Sequence, residues 1–543
     1  MTRPRTTAIF SGVLLAAAFP PSPFAFLAFL GFAPLLWTLE RRLDRRGLRS
    51  YFNAFALVYP AFALWNALTC YWIAMTALSV GEDEQTPAFV AGVMAVLVNA
   101  LVMTPPVLLY YFVRKRLNTP KLFVKYLVFV PFWVGFEFLH FRWDLTWSWI
   151  TLGHAFTYYP FYLQYLEFTG VLGTSIHTLA ATAALAAAVE AAATGQNLPS
   201  KSWLWGAAWM LFPLLLYPLL TRSGRFVPVG QINVRVVQPN VDPYNKFAVL
   251  PSDAQMRRFA ELIRRPGVDS IDLAVLPETA VPVGLMAHDL KNTVYLGEIR
   301  ELVRQYPRLN VLTGAIVYRL YQEGEKTSAS TKVLFDGVDT VRYESYNAAL
   351  MPESDERVYI KSKLVPFTER TPFLAYLRFL EAFNFTMGGH FGGFGLPDSL
   401  LTLRTRSGAG VAPLICYESE FGELAADVVK KGAQVLCVIT NDGWFGESSG
   451  HIQHAHLASL RCIETRRDLA RSANTGISLF GDRNGAYFPE RLGWWTQGTL
   501  DRKLNLYDHT TFFMRFGDWP GRWAVMIAFA LVFFAAVKRR KRR

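Results

Sequence analysis

The chain has 543 residues, of which 52% are hydrophobic and 15% aromatic, and its mean hydropathy is +0.21. Charged residues make up only 18%, below the roughly 25% of ordinary soluble domains. This composition argues against a wholly water-soluble protein and predicts several membrane spans joined to a soluble part. Much of the formal net charge of +13 lies in short clusters beside apolar segments. The positive-inside rule explains such clusters better than nucleic-acid binding does.

Apolar segments predict seven membrane spans before residue 220 and an eighth near the C-terminus. The predicted spans are residues 9–19, 24–39, 52–80, 88–113, 123–141, 161–193, 203–220 and 523–537. Pro20-Pro21-Ser22-Pro23 would form a tight turn between the first two spans, and Pro105-Pro106 would break the fourth.

The charges of the loops predict the orientation. With a cytoplasmic N-terminus, the Arg-rich loops 41–49 and 114–116 face the cytoplasm and the acidic loop 81–85 faces outside. The terminal Lys-Arg run 538–543 then returns to the cytoplasm. Treating residues 9–39 as one span would reverse these assignments, so eight spans are favoured.

This orientation predicts three parts. Residues 1–220 form a membrane domain, residues 221–519 an extracytoplasmic domain, and residues 520–543 the eighth span with a basic cytoplasmic tail. The chain would lie in a bacterial inner membrane with residues 221–519 facing the periplasm.

The segment between spans seven and eight alternates strands and helices. The predicted strands are 233–238, 271–276, 311–317, 346–350, 411–416, 435–440 and 476–480, the last being the final one. The predicted helices are 252–265, 296–303, 421–429 and 451–466. Strands and helices mixed in one region favour an α/β layered sandwich.

Three strand-like runs end on chemically active side chains: Glu278, Lys361 and Cys416. A strand end holds a nucleophile rigidly, and the turn after it can aim backbone N–H groups at a developing oxyanion. A free thiol is mostly protonated at neutral pH, so Cys416 needs a base, for which Glu278 is the candidate. A base, a cation and a thiol together predict an acyl-transfer site.

The residues alone leave alternatives open. Glu278 could instead cap a helix or form a salt bridge, and Lys361 could be a solvated loop lysine. Spacing cannot choose between Lys361 and Lys363, because both point the same way on an extended segment. Cys437 and Cys462 are expected to be small buried hydrophobes. The sequence has no CxxC pair and no His cluster with metal-ligand spacing, so neither a metal nor a cofactor is expected.

These three motifs resemble the nitrilase (carbon–nitrogen hydrolase) superfamily, whose signature is a Glu-Lys-Cys triad. A nitrilase-like segment between membrane spans is similar to the apolipoprotein N-acyltransferase family. The resemblance implies a four-layer αββα sandwich with Glu278 as base, Lys361 as oxyanion partner and Cys416 as nucleophile. The match of Tyr359-Ile-Lys-Ser-Lys-Leu-Val-Pro-Phe367 to the family pattern selects Lys361. Lys363 and Thr368 depart from that pattern.

The resemblance also implies residues around the triad. Glu369, Glu418 and Tyr417 would support the site, with structural ion pairs as the alternative for the two carboxylates. The residues expected to bind substrate are Trp444, Phe445, Phe247 and Trp149. Core packing is the alternative for Phe247, and an interfacial aromatic belt is the alternative for the tryptophans at 143–149. The Gly-rich apolar stretch 391–396 could admit an acyl chain.

The implied reaction has two steps. Cys416 takes an acyl chain from a membrane phospholipid, and the amine of a diacylglyceryl-cysteine at the N-terminus of an apolipoprotein then accepts it. The protein would act as a monomer without a cofactor. One alternative is a membrane-tethered nitrilase or amidase with water as acceptor. The other is a non-enzymatic membrane binding or scaffold protein.

Overall fold

The computed structural model describes residues 4–43, 47–76, 82–117, 121–196, 202–222, 224–244, 246, 251–335, 340–376 and 393–538. As far as Leu220 the described chain is largely helical. The helices are α1 Pro4–Ala17, α2 Ala28–Gly31, α3 Ala33–Glu40, α4 Leu48–Cys70, α5 Trp72–Met75, α6 Glu82–Val102, α7 Thr104–Arg116, α8 Leu122–Leu127, α9 Phe129–His140, α10 Leu166–Thr194 and α11 Ser202–Leu220.

Several predicted spans are interrupted helices. The span predicted at 88–113 is divided between α6 and α7, next to Pro105-Pro106, because a proline fits the first turn of a helix but cannot continue a preceding one. The span predicted at 161–193 starts late, at Leu166, since Pro160–Tyr162 form a separate 3-10 turn. Its backbone also leaves the helical conformation at Gly170, where φ is 59°.

Four helical stretches of the described chain are long and apolar enough to cross a membrane: Ala88–Arg116, Leu122–His140, Leu166–Thr194 and Trp519–Val537. Ala25–Glu40 and Leu204–Leu220 are shorter apolar helices. At the N-terminus, the Leu35 amide donates to Ser11 Oγ at 2.9 Å, so α1 and α3 pack against each other as a hairpin. The count of eight spans stays a prediction.

The second part of the chain contains strands and helices. The strands are β1 Gly230–Gln238, β2 Leu273–Val275, β3 Gly284–Met286, β4 Asn310–Leu320, β5 Lys332–Phe335, β6 Thr340–Met351, β7 Asp355–Ile360, β8 Leu403–Arg404, β9 Gly410–Ile415, β10 Val435–Thr440, β11 Leu469–Ala473, β12 Ser478–Gly481, β13 Tyr487–Leu492 and β14 Gly498–Leu506. The helices are α12 Ser252–Ile263, α13 Gly297–Gln305, α14 Gly422–Lys430, α15 Ser449–Thr465, α16 Phe512–Phe516 and α17 Trp519–Val537.

These strands form two sheets. The first has the order β14-β1-β2-β4-β6-β5, with β3 beside β4 and β7 beside β6, and the second has the order β13-β12-β11-β10-β9-β8. β1, β2 and β4 run parallel, as do β9, β10 and β11. The carboxyl ends of parallel strands meet at one edge of a sheet, which is where this fold class places its ligands.

Alternating side chains of the first sheet separate two cores. Val236 joins the core between the two sheets, and its neighbour Val237 points into a second core with α12 and α13. On the far side, α14 and α15 pack on the second sheet. The described chain therefore has a helix–sheet–sheet–helix arrangement, and the predicted α/β sandwich is confirmed.

The strand predicted near 476–480 is not the last one. β13 and β14 follow it, and β14 pairs antiparallel with the whole length of β1. β14 does not show apolar alternation in its sequence, because the middle of this edge strand is partly exposed and carries Asp501, Arg502 and Lys503.

The sandwich lies directly against the helical part. In α15, Gln453 accepts hydrogen bonds from the indoles of Trp72 at 3.1 Å and Trp149 at 2.6 Å. Its amide donates to the carbonyl oxygens of Pro20 at 2.6 Å and Thr69 at 3.0 Å. One glutamine thus joins the sandwich to three separate segments of the helical part.

Candidate active site

Three predicted site residues meet at the edge where the strands end. The Lys361 ammonium lies 3.0 Å from Oε1 of Glu278 and 2.7 Å from Oε1 of Glu369. The lysine side chain is only 1% exposed. Burial opposes its charge, but the two carboxylates outweigh burial and raise the pKa of Lys361 well above its usual range. The amine therefore stays an ammonium.

An amide that sequence reasoning missed completes this cluster. Asn347 Nδ2 donates to Oε1 of Glu278 at 2.7 Å and to Oε1 of Glu369 at 3.1 Å. Asn347 lies in β6, and its carbonyl accepts a hydrogen bond from the Lys361 amide at 2.8 Å. A polar residue inside the apolar run 346–350 was the signal that could have identified it.

The turn that carries Glu278 is held close to β4. A Cβ atom on Gly314 would lie 2.4 Å from the Thr279 nitrogen and 2.8 Å from the Glu278 Cα, so only glycine permits this approach. Thr279 itself has φ 48°, a conformation that residues other than glycine adopt rarely. The position of the carboxylate is therefore fixed by backbone packing.

Cys416 directly follows β9 and has φ 52°. Such strained residues cluster at functional sites because the surrounding structure holds them. Burial raises the pKa of the Cys416 thiol well above its usual range; the Glu278 charge adds to this rise, and Lys361 opposes it. Burial, Glu278 and Glu369 thus favour the protonated thiol over the thiolate despite Lys361, so Cys416 requires a base to react.

Glu418 follows Cys416 by two residues, and its hydrogen bonds go to neither Lys361 nor Glu278. Its Oε1 accepts from the Ser362 amide at 2.7 Å and hydroxyl at 2.8 Å. Its Oε2 accepts from the Ile415 amide and the Tyr359 hydroxyl, both at 2.9 Å. Glu418 therefore ties the lysine loop to the cysteine turn.

Tyr417 and Trp149 connect the site to the helical part. The Tyr417 hydroxyl donates to the Thr146 carbonyl at 3.0 Å, and its ring stacks on Trp147. Trp149 is buried, and its indole bonds Gln453. Contact between Trp149 and a substrate stays a prediction, because the described side chain packs between the two parts of the protein.

Lys363 does not share the environment of Lys361. Its ammonium donates to the Phe141 carbonyl at 3.0 Å and lies over the Phe421 ring, 5.0 Å from its centre. The two lysines diverge because β7 ends at Ile360, so the strand alternation does not continue through them.

Lys246 is a second residue that sequence reasoning missed. Its ammonium is buried, 3.1 Å from Thr279 Oγ1 and 3.5 Å from the Glu278 carbonyl oxygen. Burial lowers the pKa of Lys246 to about 7, against the opposing charge of Glu278. In the sequence, residues 239–246 have no apolar periodicity that could have indicated a buried lysine.

The predicted aromatic residues have different surroundings. Trp444 is half-buried, with its ring centre 5.0 Å from that of Tyr244. The Phe445 ring lies 4.8 Å from Trp72, at the boundary with the helical part. Phe247 and Phe391 lie outside the described residues.

No group of three or more His, Cys, Asp or Glu in the described chain could hold a metal ion.

This geometry combines a protonated thiol, a carboxylate and a permanent cation. The carboxylate can take a proton from a nucleophile, and the cation can stabilise negative charge on an attacked carbonyl oxygen. These are the requirements of acyl transfer through a covalent intermediate.

Comparison with known proteins places the chain in a family. A family model described as "Apolipoprotein N-acyltransferase N-terminal domain" matches residues 11–185. An apolipoprotein N-acyltransferase from Chlorobaculum tepidum is 29% identical, with 99% of this chain and 98% of that protein covered. One from Geobacter metallireducens is 28% identical, with 98% and 95% covered. A nitrilase-superfamily structure from Saccharomyces cerevisiae matches at 16% identity and a TM-score of 0.35, over 59% of this chain and 98% of that one.

A second family model, described as "Carbon-nitrogen hydrolase", matches residues 233–511. These residues include Glu278, Lys361 and Cys416. Because the match covers more than half of the 543 residues, the chain belongs to the carbon–nitrogen hydrolase family.

Proposed function

We propose that the protein transfers an acyl chain from a membrane phospholipid to the N-terminal amine of diacylglyceryl-cysteine in apolipoproteins. The observation that carries this proposal is the Glu278–Lys361–Glu369 cluster, which acts electrostatically on the Cys416 thiol. Similarity to proteins named apolipoprotein N-acyltransferase extends over nearly the whole chain, the helical part included, and supports the same conclusion.

In the first step, Cys416 Sγ attacks the carbonyl carbon of a phospholipid ester. Glu278 accepts the thiol proton, and the negative charge that develops on the carbonyl oxygen of the ester faces the Lys361 ammonium. When the tetrahedral intermediate collapses, the ester C–O bond breaks and the proton passes to the leaving alcohol. The products are an acyl thioester on Cys416 and a lysophospholipid.

In the second step, the lipoprotein amine attacks the thioester carbonyl. An amide bond forms, the C–S bond breaks, and the proton lost by the amine passes through Glu278 to the leaving thiolate, which becomes the thiol again. The free enzyme is thereby regenerated, and the two substrates react in turn, as in a ping-pong mechanism.

The donor and acceptor are both lipids, which requires a site beside a membrane. The hydrogen bonds of Gln453 and Tyr417 hold the sandwich against the apolar helical part. We propose a bacterial inner-membrane protein with eight spans, its catalytic domain over residues 221–519 facing the periplasm. The tail after the last span would be cytoplasmic, and the protein would act as a monomer.

The orientation can be tested with a cysteine at position 270, at the exposed end of a turn. Ser270→Cys should react in intact spheroplasts with a reagent that does not cross membranes. Labelling only after the membrane is broken would place the catalytic domain in the cytoplasm and contradict both the span count and the substrates.

The activity can be tested with purified protein, phospholipid vesicles and a synthetic diacylglyceryl-cysteine peptide. We expect mass spectrometry to show a peptide heavier by one acyl group, together with lysophospholipid, and Cys416→Ala to give neither. Free fatty acid without acylated peptide would instead indicate a hydrolase that uses water as acceptor.

A further inference from the structure

A buried polar network lies beneath the Cys416 turn, and the steps proposed above do not use it. Its centre is His454 of α15, which is fully buried. His454 Nδ1 lies 2.8 Å from Oδ1 of Asp442, and Oδ2 of Asp442 accepts from Arg471 Nη2 at 2.7 Å. Burial opposes the charge of Asp442, but Arg471 and His454 outweigh it and hold the pKa of Asp442 below its usual range. The ring is thus held by a charged carboxylate.

The other ring nitrogen of His454 faces the nucleophile turn. Nε2 lies 3.1 Å from the carbonyl oxygen of Cys416. Because a carbonyl oxygen can only accept, Nε2 carries the hydrogen of this bond. The Ser419 hydroxyl donates to the same oxygen at 2.8 Å and lies 3.2 Å from Nε2. The Cys416 carbonyl is therefore held by two buried donors.

Fixing this carbonyl fixes the peptide plane between Cys416 and Tyr417. In a trans peptide the N–H points opposite to the C=O. The Tyr417 N–H is consequently directed away from His454. A backbone N–H that follows a nucleophile can stabilise the oxyanion only if its direction is maintained during attack. Cys416 has φ 52°, a strained backbone conformation. Without the two donors the turn could relax and rotate this peptide plane.

His454 itself is rigidly placed. It follows Gln453, which bonds the helical part, and α15 begins with Ser448 accepting a hydrogen bond from the Gly450 amide. The ring also stacks on Trp149, with centres 5.6 Å apart. Contacts from the sandwich and the helical part thus converge on this imidazole.

We propose that His454 is a positioning residue: its Nε2–H holds the Cys416 carbonyl so that the Tyr417 N–H stays directed at the oxyanion. The inference deepens the proposed function and rests on Cys416 as the acylated nucleophile. It predicts that the Nε2 position matters for attack on an ester, whereas the reactivity of the thiol itself does not depend on it.

Two substitutions of His454 test the roles of its two ring nitrogens separately. In His454→Gln the side-chain amide reaches the Nε2 position and can still donate to the Cys416 carbonyl. In His454→Asn the shorter amide reaches only the Nδ1 position, beside Asp442. His456→Gln is the matched control, since His456 lies on the same helix but packs on Tyr158, with ring centres 4.2 Å apart.

Two rates are measured for each full-length variant in phospholipid nanodiscs. The first is single-turnover acyl-thioester formation, and the second is alkylation of Cys416 by iodoacetamide, which proceeds without an oxyanion. A lost oxyanion donor costs about 10²–10³-fold in rate. A misdirected donor should cost less, so we expect His454→Asn to acylate about tenfold to a hundredfold more slowly. Its alkylation rate should stay near that of the wild type, and His454→Gln and His456→Gln should retain both rates.

Other outcomes overturn the inference. Equal acylation by His454→Asn and wild type would show that the bond is dispensable, and an equal loss in both His454 variants would exclude the Nε2 donor as the cause. A parallel fall in acylation and alkylation would indicate general damage to the site. If His454→Asn does not fold, Ser419→Ala, which removes the other donor to the same oxygen, should show the same selective loss of acylation, and unchanged acylation would overturn the inference. A wild-type protein that forms no thioester would refute the proposed function itself.

Discussion

The carboxylates near Cys416 form two groups with different partners, a first side with Glu278 and Glu369 and a second side with Glu418. On one side, Glu278 and Glu369 bond a lysine ammonium and the Asn347 amide. On the other side, Glu418 bonds two backbone amides and two hydroxyl groups. Glu278 and Glu369 therefore lie beside a positive charge, the Lys361 ammonium. Glu418 accepts its four hydrogen bonds from neutral groups.

The difference in partners predicts that Glu278 and Glu369 take part in the reaction and that Glu418 holds the structure together. When a carboxylate that is paired with a cation gains a proton, it loses its negative charge. The cation can then stabilise negative charge on the substrate instead. A carboxylate that accepts four neutral hydrogen bonds would lose acceptor capacity on protonation, so it is suited to holding two loops together. Substitutions on the first side should therefore affect rate, and those on the second side should affect stability.

The largest effect is expected from the base. Glu278→Gln keeps the size of the side chain but cannot accept the thiol proton, so thioester formation should fall by about 10²–10⁴-fold. Glu418→Gln, the matched substitution on the other side, should lose far less rate. Single-turnover acylation measures both. Near-normal acylation by Glu278→Gln would assign the base role to another residue.

The next effect concerns the two lysines. Lys361→Met removes the cation that we propose faces the oxyanion and should slow acylation by about 10²–10³-fold. Phospholipid binding should change little, because the charge develops only during attack. Lys363→Met is the control, since Lys363 bonds the Phe141 carbonyl instead. A ranking with Lys363→Met as the slower variant would contradict the role of Lys361.

A smaller effect is expected from the supporting carboxylate beside Lys361. In Glu369→Gln the amide oxygen can still accept from the Lys361 ammonium, but it carries no negative charge. The amide NH2 cannot accept the bond that the Val365 N–H donates to Glu369 Oε2 at 2.8 Å. One charge-assisted hydrogen bond is worth about 1.5–3 kcal/mol, so we expect acylation to fall by about tenfold to a hundredfold. Measured single-turnover rates equal to those of Lys361→Met would instead make Glu369 as important as the cation itself.

The smallest effect tests the supporting side. Tyr359→Phe removes one of the four donors to Glu418 and should destabilise the protein by about 1–3 kcal/mol. Acylation of the folded protein should change less than twofold to threefold. Thermal unfolding in detergent, followed beside the acylation rate, distinguishes the two quantities. A large loss of rate with unchanged stability would give Glu418 a chemical role.

Apolar pattern and turn chemistry were sufficient for much of the sandwich. β10 was predicted with the observed bounds, and the face of α12 formed by Met256, Phe259 and Leu262 is buried as its 3.6-residue period indicated. β14 could not be recognised, because an edge strand with charged residues lacks the apolar alternation on which such predictions depend. At Gly170, where α10 leaves the helical conformation, the backbone packs so closely on Phe513 that a Cβ atom would lie 2.3 Å from its ring. Local sequence does not reveal so distant a neighbour.

Glu278, Lys361 and Cys416 were predicted as candidate site residues because each follows a strand in a recognisable motif, and the structure brings Glu278 and Lys361 together. Lys246 and His454 had no such motif, because each contacts a partner that is distant in sequence, and the only signal for Asn347 was its polarity inside the apolar run 346–350. Asn347 and Glu278 are separated by 69 residues, and His454 and Cys416 by 38. Asn347 and Glu278 meet within the first sheet, whereas His454 of α15 reaches Cys416 at the end of β9 in the second. Such contacts exist only in the folded chain.

The central claim is that Cys416 carries the acyl group between the two substrates. The most direct test is mass spectrometry of the intact purified protein after incubation with phospholipid and no acceptor. We expect a mass increase of one acyl chain, mapped to the peptide containing Cys416, removed by hydroxylamine and absent from Cys416→Ala. An adduct that survives in Cys416→Ala, or acylated peptide formed without any adduct in the wild type, would contradict the account.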